Sequence, residues 1–470
     1  MLASVQILPI IDTPHAEDFY TLINRDLSSG GRLSMLESID GKQLLALIGS
    51  TIYKHDLSGL TVYKSLTRRW PQARHHEAKL SRIFGLVARD ALPERVEVEG
   101  QGIFEIPVGP VHAGIIEPGH FRLSCVGEKV LDIDLRLGYV HRDIEGTLAK
   151  SSLQQLPAKA EAIAGDTIVA NAIAAASIVE ALQEQDITRS PQSNCYRLIA
   201  LEIERMAMHL ADLGGMAQDL GMGAMAARFG VFRGKILRVA ELLSGNRFLK
   251  GFVYGDRQSK IERSKIEAII NLVLQVRREM LPVMRKFCSE LSVAARLEGL
   301  GALSRTLAQE LDVVGLAARA AGISCDSRVG NPIYESLGFV EALAQAGDAY
   351  ARTQIRRKEI EESSRLTLAA LDRLLMEPPL NQDKIENIKI ENAKIDRVNG
   401  RAILARVEAF RGELLHLAIT DEAGEIIRYA VRDPSNSNWP SLALAMKNQL
   451  VQNFPVCNKS FGLSYGGHDL

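Results

Sequence analysis

The chain has 470 residues, with 56 lysines and arginines against 57 aspartates and glutamates and a hydrophobic fraction of 46%. That length predicts two or three domains, and a net charge of -1 supplies no broad field to gather nucleic acid or an anionic membrane surface. No apolar run reaches the roughly 18 to 20 residues that span a bilayer, and the start, MLASVQILPIIDTPHAEDF, lacks the basic residues and long apolar stretch of a signal peptide. A cytoplasmic chain is therefore expected, with any membrane contact made through a partner.

Residues 1 to 95 read as a small α+β unit. Thr13-Pro14 is an N-cap and N1 pair for a helix ending near Gly30-Gly31. RLSMLESI and KQLLALIG flank Asp40-Gly41, a hairpin signal in which both turn residues tolerate positive φ. The amphipathic stretch WPQARHHEAKLSRIFG closes the unit, and residues 88 to 107 read as a linker with a short strand. GPVHAGIIEPGHFRL, residues 109 to 123, then carries His112 and His120 into a period-2 pattern: Leu131, Ile133, Leu135 and Leu137 alternate with Asp132, Asp134 and Arg136. That is a half-buried hairpin turning near Gly127-Glu128.

After Tyr139 the pattern becomes helical. DTIVANAIAAASIVEALQEQ is apolar nearly all round, the mark of a central buried helix. CYRLIALEIERMAMHLADLGG is expected to stop at Gly214-Gly215, and the stretch from Ser259 to Leu297 to kink or divide at Pro282. GDAYARTQIRRKEIEESSRLTLAALDRLL forms another long helix. KIENIKIENAKID, between Pro378 and Asn399, reads as a solvated connector. RAILARVEAFRG and ELLHLAITDEAGEIIRYAVRD alternate around Glu422 to Gly424 as a small sheet, followed by a helix and an irregular tail. The fold class is α+β and predominantly helical: an α+β domain over 1–95, then a helical-bundle domain over 105–470 with peripheral β-hairpins.

The five cysteines, Cys125, Cys195, Cys288, Cys325 and Cys457, stand far apart and form no C-x-x-C, which argues against a zinc ribbon or a self-contained iron–sulfur site. Singly, the other polar signals read as ordinary structure. Each lone histidine of the 109–123 loop suits a turn, His141-Arg142 suits a helix cap, and Glu202, Arg205 and His209 share one helix face as an interhelical polar network.

In order, GPVHAGIIEPGHFRL, LGYVHRDIEGTL, LEIERMAMHLADLG, AQDLGMGAM, SGNR, VVGLAARAAG and GDAYARTQIRRKEIEES resemble the large subunit of group 4 nickel–iron hydrogenases of the formate-hydrogenlyase type. They also resemble its relative, the quinone-site large subunit of respiratory complex I, the NADH-quinone oxidoreductase. The N-terminal unit more weakly resembles the small α+β (30 kDa-type) subunit of complex I. In the hydrogenases two C-x-x-C pairs hold nickel and iron through soft thiolates. Here the pairs fall on Ile163 to Asp166 and Ser464 to Gly467. All four thiolates are missing, so the expectation is no metal and no cofactor bound by this chain, with an iron–sulfur cluster in a partner subunit. A working hydrogenase is not expected.

Against the complex I pattern, His112 matches, His120 corresponds to the quinone-contacting histidine, and the partnering tyrosine falls near Ala164, where its phenol is absent. The resemblance implies a peripheral-arm large subunit of a membrane-bound oxidoreductase complex, on the cytoplasmic side of the inner membrane, in an electron-transport assembly that binds NAD and quinone. Its partners would be an iron–sulfur small subunit and membrane antiporter-like and anchor subunits, with no nucleic acid. Electron transfer would be coupled to ion translocation, or the chain would be a non-catalytic scaffold joining those subunits.

The implied proton-handling set is His112, His120 and Asp166, in a chamber also formed by Arg122, Ala164, Ser464 and Gly467, while His141, Arg142, Glu202, Arg205 and His209 form the structural polar network. A buried Asp166 should titrate high unless a cation such as Arg122 answers it. The tail from Asn458 to Leu470 is expected to pack inward, burying Phe461, Leu463 and Tyr465 and placing His468 and Asp469 near the domain surface.

Overall fold

The computed structural model describes residues 2–29, 31–57, 59–67, 70, 73–91, 97–112, 116–183, 191–254, 261–376 and 400–470. Connector 378–399 lies outside them. The chain is about 49% helix and 19% strand, a predominantly helical α+β protein.

The N-terminal strands β1 (Ser4–Leu8) and β2 (Ile10–Thr13) go to different sheets. β2, β3 (Leu33–Ile39), β4 (Gln43–Ile48) and β5 (Thr51–Asp56) form one sheet in the order β2-β5-β4-β3. Asp40 and Gly41 take φ of 51° and 68° in the β3–β4 turn, the left-handed values for which that pair was read. Helix α1 (Ala16–Ser28) starts two residues later than Thr13-Pro14 implied. Thr13 is instead the last residue of β2, and its hydroxyl donates to the Lys54 carbonyl at 2.7 Å. A tertiary hydrogen bond there replaces the local cap.

Helix α2 (Ala73–Phe84) covers this sheet, with β6 (Val62–Lys64) and β7 (Val87–Arg89) beside it. Strands β8 (Ile103–Val108), β9 (His120–Val126) and β10 (Lys129–Arg136) form a three-stranded sheet in the order β10-β9-β8. The β9–β10 hairpin turns at Gly127-Glu128, as its period-2 pattern predicts.

Short helices α3 (Ile144–Ala149) and α4 (Leu156–Ala160) lead into α5 (Ile168–Leu182), of which every residue but Ala181 is buried. α6 (Pro191–Asp219) packs on α7 (Gly223–Ser244), and α7 flanks α8 (Arg263–Ser289). At two predicted interruptions the helix is not divided. α6 runs straight through Gly214-Gly215, since a Cβ at Gly214 would sit 3.5 Å from Phe229 Cβ of α7 and one at Gly215 3.5 Å from Lys459. These glycines permit close packing rather than ending a helix. α8 likewise continues through Pro282 and ends at Ser289, where Glu290 turns extended before α9 (Leu291–Leu297). Three short helices, α10 (Arg305–Glu310), α11 (Gly315–Ala320) and α12 (Pro332–Ser336), lead to α13 (Ala349–Met376), which packs on both α6 and α8.

β11 (Ala402–Ala409), β12 (Gly412–Thr420) and β13 (Ile426–Arg432) form the last sheet, and β1 completes it in the order β1-β11-β12-β13. Its face packs Leu404, Leu415 and Leu417 against Met35, Leu45 and Ile52 of the N-terminal sheet. A buried ion quartet fixes the same junction: Lys79 and Arg428 each reach both Glu37 and Glu145, at 2.6 to 2.8 Å. The helix Pro434–Ala445, capped by Asp433, and the helix Phe454–Phe461 complete the chain.

Candidate functional site

In the 109–123 loop, Gly109 takes a φ of 83°, and a Cβ there would collide with the Gly119 carbonyl at 2.2 Å and with His112 at 2.7 Å. Glycine lets the loop close on itself. His112 Nε2 donates to the Gly119 carbonyl at 2.7 Å, which fixes the protonated nitrogen, and its ring lies 6.1 Å from Phe121 and 6.2 Å from Tyr465. The two-residue period of β9 then divides the candidates. Phe121 points inward onto Trp439, Phe454 and Tyr465, so His120 and Arg122 face the opposite side. Arg122 pairs with Asp134, its cross-strand neighbour. His120 is half-buried and, among the described residues, makes no side-chain hydrogen bond.

The predicted cation for Asp166 is therefore wrong. Asp166 pairs with Arg411, which follows β11 at the hairpin into β12 and is 8% exposed, while the Asp166 side chain is 36% exposed. Burial pushes the Asp166 carboxyl up, but Arg411 outweighs it and holds the group below the ordinary aspartate value. The expectation allowed for this outcome, a cation answering the buried carboxyl; only the cation's identity differs. Arg411 Nε also donates to the Gly462 carbonyl, tying the pair to the C-terminal tail.

Arg142 brings the two emptied cysteine windows together. Its Nη2 donates to Ile163 O at 2.8 Å and Gly466 O at 3.0 Å, its Nη1 to Ala162 O at 3.2 Å and its Nε to Asp469 O at 3.2 Å. A Cβ on Gly466 would lie 3.4 Å from Glu117 Oε1, so the 109–123 loop reaches the same point. His141, its neighbour, is exposed.

The space left by the absent thiolates is largely filled. Ile163 is core, and Ser464 Oγ accepts from Gly467 N at 3.2 Å while its carbonyl accepts from the Trp439 indole at 3.2 Å. A Cβ on Gly467 would strike Asp433 at 2.7 Å. Ala164 is buried, but Gly165 has nothing within 4 Å of its Cβ position, so this edge of the window opens outward. Gly467 lines a cavity of about 390 Å³ whose walls include none of His112, His120 and Asp166. Phe461, Leu463 and Tyr465 are buried as expected, and Asp469, placed near the surface by the sequence reading, is 1% exposed and accepts from Val140 N. Among the described residues no group of three or more His, Cys, Asp and Glu side chains is placed to hold a metal.

Glu202, Arg205 and His209 do share a face of α6, inside a larger buried network. Glu202 accepts from Tyr334 at 2.5 Å and Ser363 at 2.6 Å and pairs with Arg205 and Arg328. His209 Nε2 meets Glu359 at 2.8 Å, and Arg319 joins Glu359, Glu408 and Asp326. Burial pushes Glu408 up to about 7 and His209 below the ordinary histidine value despite Glu359. Burial also raises Glu202 and Glu359, but the guanidiniums of Arg205 and Arg319, respectively, more than reverse this. Four carboxylates thus face three guanidiniums and one imidazole, and the cluster is neutral only when it holds one further proton, on His209 or Glu408. Sequence reading found only the α6 members, whose helical spacing is local.

Glu204, one position off that face, accepts from Val169 N at 2.7 Å and Ala170 N at 3.2 Å at the start of α5. Burial pushes its carboxyl up to about 8, against those two donors.

Residues 219–469 match the family described as respiratory-chain NADH dehydrogenase, 49 Kd subunit. The chain is 28% identical to formate hydrogenlyase subunit 5 of Escherichia coli (strain K12) over 77% of its own length and 62% of that protein's. It is 28% identical to the membrane-bound hydrogenase subunit alpha of Pyrococcus furiosus over 75% of its length and 84% of that relative. It is 26% identical to NADH-quinone oxidoreductase subunit 4 of Thermus thermophilus over 77% of its length and 93% of that chain. The chain spans only about three-fifths of the E. coli relative. Among the described residues no helix is long and apolar enough to cross a membrane.

Proposed function

The chain belongs to the family of the 49 Kd subunit of respiratory-chain NADH dehydrogenase, and from that premise we propose that it is the large peripheral subunit of a membrane-bound complex that couples electron transfer to ion movement. An adjoining iron–sulfur subunit would supply the electrons, and quinone is the proposed acceptor class. The observation that carries this reading is the family match over residues 219–469, which spans most of the buried charge network and the tail that Arg142 joins to the 162–163 window.

No nickel–iron centre fits the donor set. Of the four positions one is a core isoleucine and one a glycine, Ser464 is hydrogen-bonded to its own turn, and Asp166 is paired with Arg411. What this chain's own residues offer is proton handling by the cluster around Glu202, Glu359, Glu408 and His209, where one proton has two alternative seats.

The scaffold reading is favoured by a specific observation: His112 is committed to Gly119 and Asp166 to Arg411, which leaves His120 as the candidate without a hydrogen-bonding partner among the described residues. Purification of the assembled complex, identification of its subunits and an acceptor screen test both. Loss of turnover in His120→Gln and Glu408→Gln complexes that assemble normally supports the catalytic role. Unchanged turnover in both leaves the scaffold.

A further inference from the structure

Two carboxyls meet at the start of α5. Asp166 stands two residues before the helix, and Glu204 reaches the same end from α6, accepting from Val169 N and Ala170 N. Their surroundings differ. Asp166 lies at the edge where Gly165 opens outward, is partly exposed, and is held as the anion by Arg411. Its second oxygen, Oδ1, is buried with no hydrogen-bond partner in another described residue. Glu204 is 7% exposed, and among the described residues no cation is bonded to it.

Glu204 nevertheless has two charged neighbours. Burial pushes its carboxyl up against the two backbone donors, the Asp166 charge adds to that rise and the Arg205 charge opposes it. Asp166 belongs to the open window, and Arg205 belongs to the buried cluster through Glu202 and the Glu408 carbonyl. The other titratable groups nearby are Asp433, which burial raises despite Arg411, and His416, bonded to Asn171 in the first turn of α5 and held neutral by burial, at about 3.

We propose that Asp166 and Glu204 form a proton entry to the buried charge cluster, Asp166 taking protons from water at the open edge and Glu204 holding them beside Arg205. Glu204 releases its proton toward the seat on His209 or Glu408, and Val169 N, Ala170 N and the Arg205 charge stabilise the carboxylate left behind. A proton from water then crosses Asp166 to refill it, and Asp166 returns to its ion pair with Arg411. One proton enters for each that leaves, and no electron moves. Delivery to the cluster rests on the function proposed above, whereas exchange across Asp166 is a property of the chain itself.

Exchange is tested on the full chain by time-resolved infrared spectroscopy after mixing into heavy water near pH 6, below the Glu204 value of about 8. Isotope-labelled glutamate and the Glu204→Gln variant identify the Glu204 carboxyl band. Its deuteration should slow about tenfold or more in Asp166→Asn, which removes the entry acid. Gly165→Leu, which covers the open edge without touching a charge, should slow it too and serves should the Asp166 variant fail to fold. No protonated Glu204 band, or a rate unchanged in both variants, overturns the entry. Delivery is read from turnover of the assembled complex, which Glu204→Gln should lower and Glu204→Asp partly restore. Turnover lost in Glu408→Gln but unchanged in Glu204→Gln overturns the delivery and leaves the proposed function standing. A parent complex with no turnover sinks the proposed function, and the infrared rates alone then decide the entry.

Discussion

Arg411 grips Asp166 and the Gly462 carbonyl with one guanidinium, joining residues 245 positions apart in sequence to the C-terminal tail. Asp166→Asn keeps the shape and removes the charge, leaving a buried cation whose remaining charged neighbours are Asp433 and Asp212. A fully buried pair broken this way costs about 3–5 kcal/mol. Asp166 is partly exposed, so about 1–3 kcal/mol is expected after allowing for solvent. The folded carboxyl lies below its ordinary 3.8, so the pair's stabilisation is present above that pH and is lost as pH falls through the folded value. Urea unfolding of both proteins at neutral pH and near pH 3 should show the difference shrinking in acid. A constant difference would mean that charge is not its source.

Arg142 is largely exposed, yet its four carbonyl contacts join two chain segments more than 300 residues apart. Arg142→Met should cost about 2 kcal/mol and speed amide exchange across residues 462–469 more than elsewhere. Exchange accelerated uniformly, or not at all, would show that the tail is held by its apolar residues alone.

The legible parts of the sequence were those whose signal is local. Asp40-Gly41, the alternation from Phe121 to Leu137 and the alanine-rich α5 each declare themselves within a few residues, and each is in place. Partners were not legible. Arg122 stood near Asp166 only by inference, whereas its cross-strand neighbour Asp134 takes it, and the cation that reaches Asp166 comes from a hairpin far along the chain. The glycines of α6 misled for a related reason: a Gly-Gly pair costs a helix only about 2 kcal/mol, and α7 and Lys459 fill the space it opens. Arg319, Arg328 and Glu408 join α6 from three other segments, so no periodicity could announce them.

Glu204 predicts a pH dependence of opposite sign to that of Asp166. Its carboxyl ordinarily titrates at 4.5 and is pushed by burial to about 8 in the fold, so the folded chain binds the extra proton. Stability is therefore greatest below the unfolded value and declines as pH rises from about 4.5 through 8. Glu204→Gln removes that decline, while one of the two backbone donors at the start of α5 loses its acceptor. Chemical unfolding from pH 5 to 8 should give a sloping curve for the parent and a flatter one for the variant. Parallel slopes would place the proton elsewhere.

The buried cluster makes the sharpest prediction, because its members share charge. Arg319 contacts Glu408 at 2.7 Å, Glu359 at 2.5 Å and Asp326 at 3.3 Å, all essentially without solvent. Arg319→Met leaves four carboxylates facing two guanidiniums and one imidazole and should cost about 3–5 kcal/mol. Glu408→Gln alone should cost less, about 1–2 kcal/mol, since a carboxyl pushed up to about 7 is half protonated at neutral pH and the amide oxygen keeps one of its two accepted hydrogen bonds, from Arg319 or from Ser327 N. In the double variant one of the three acids that Arg319 faces is gone as well. Its loss should fall short of the sum by about 1 kcal/mol or more. Equilibrium unfolding of the four proteins at pH 8, where Glu408 is mostly ionised, should give the larger coupling, and at pH 5.5, where it is mostly protonated, the smaller. Strict additivity at both pH values would show that Arg319 acts through Glu359 and Asp326 and that Glu408 is no seat for the extra proton.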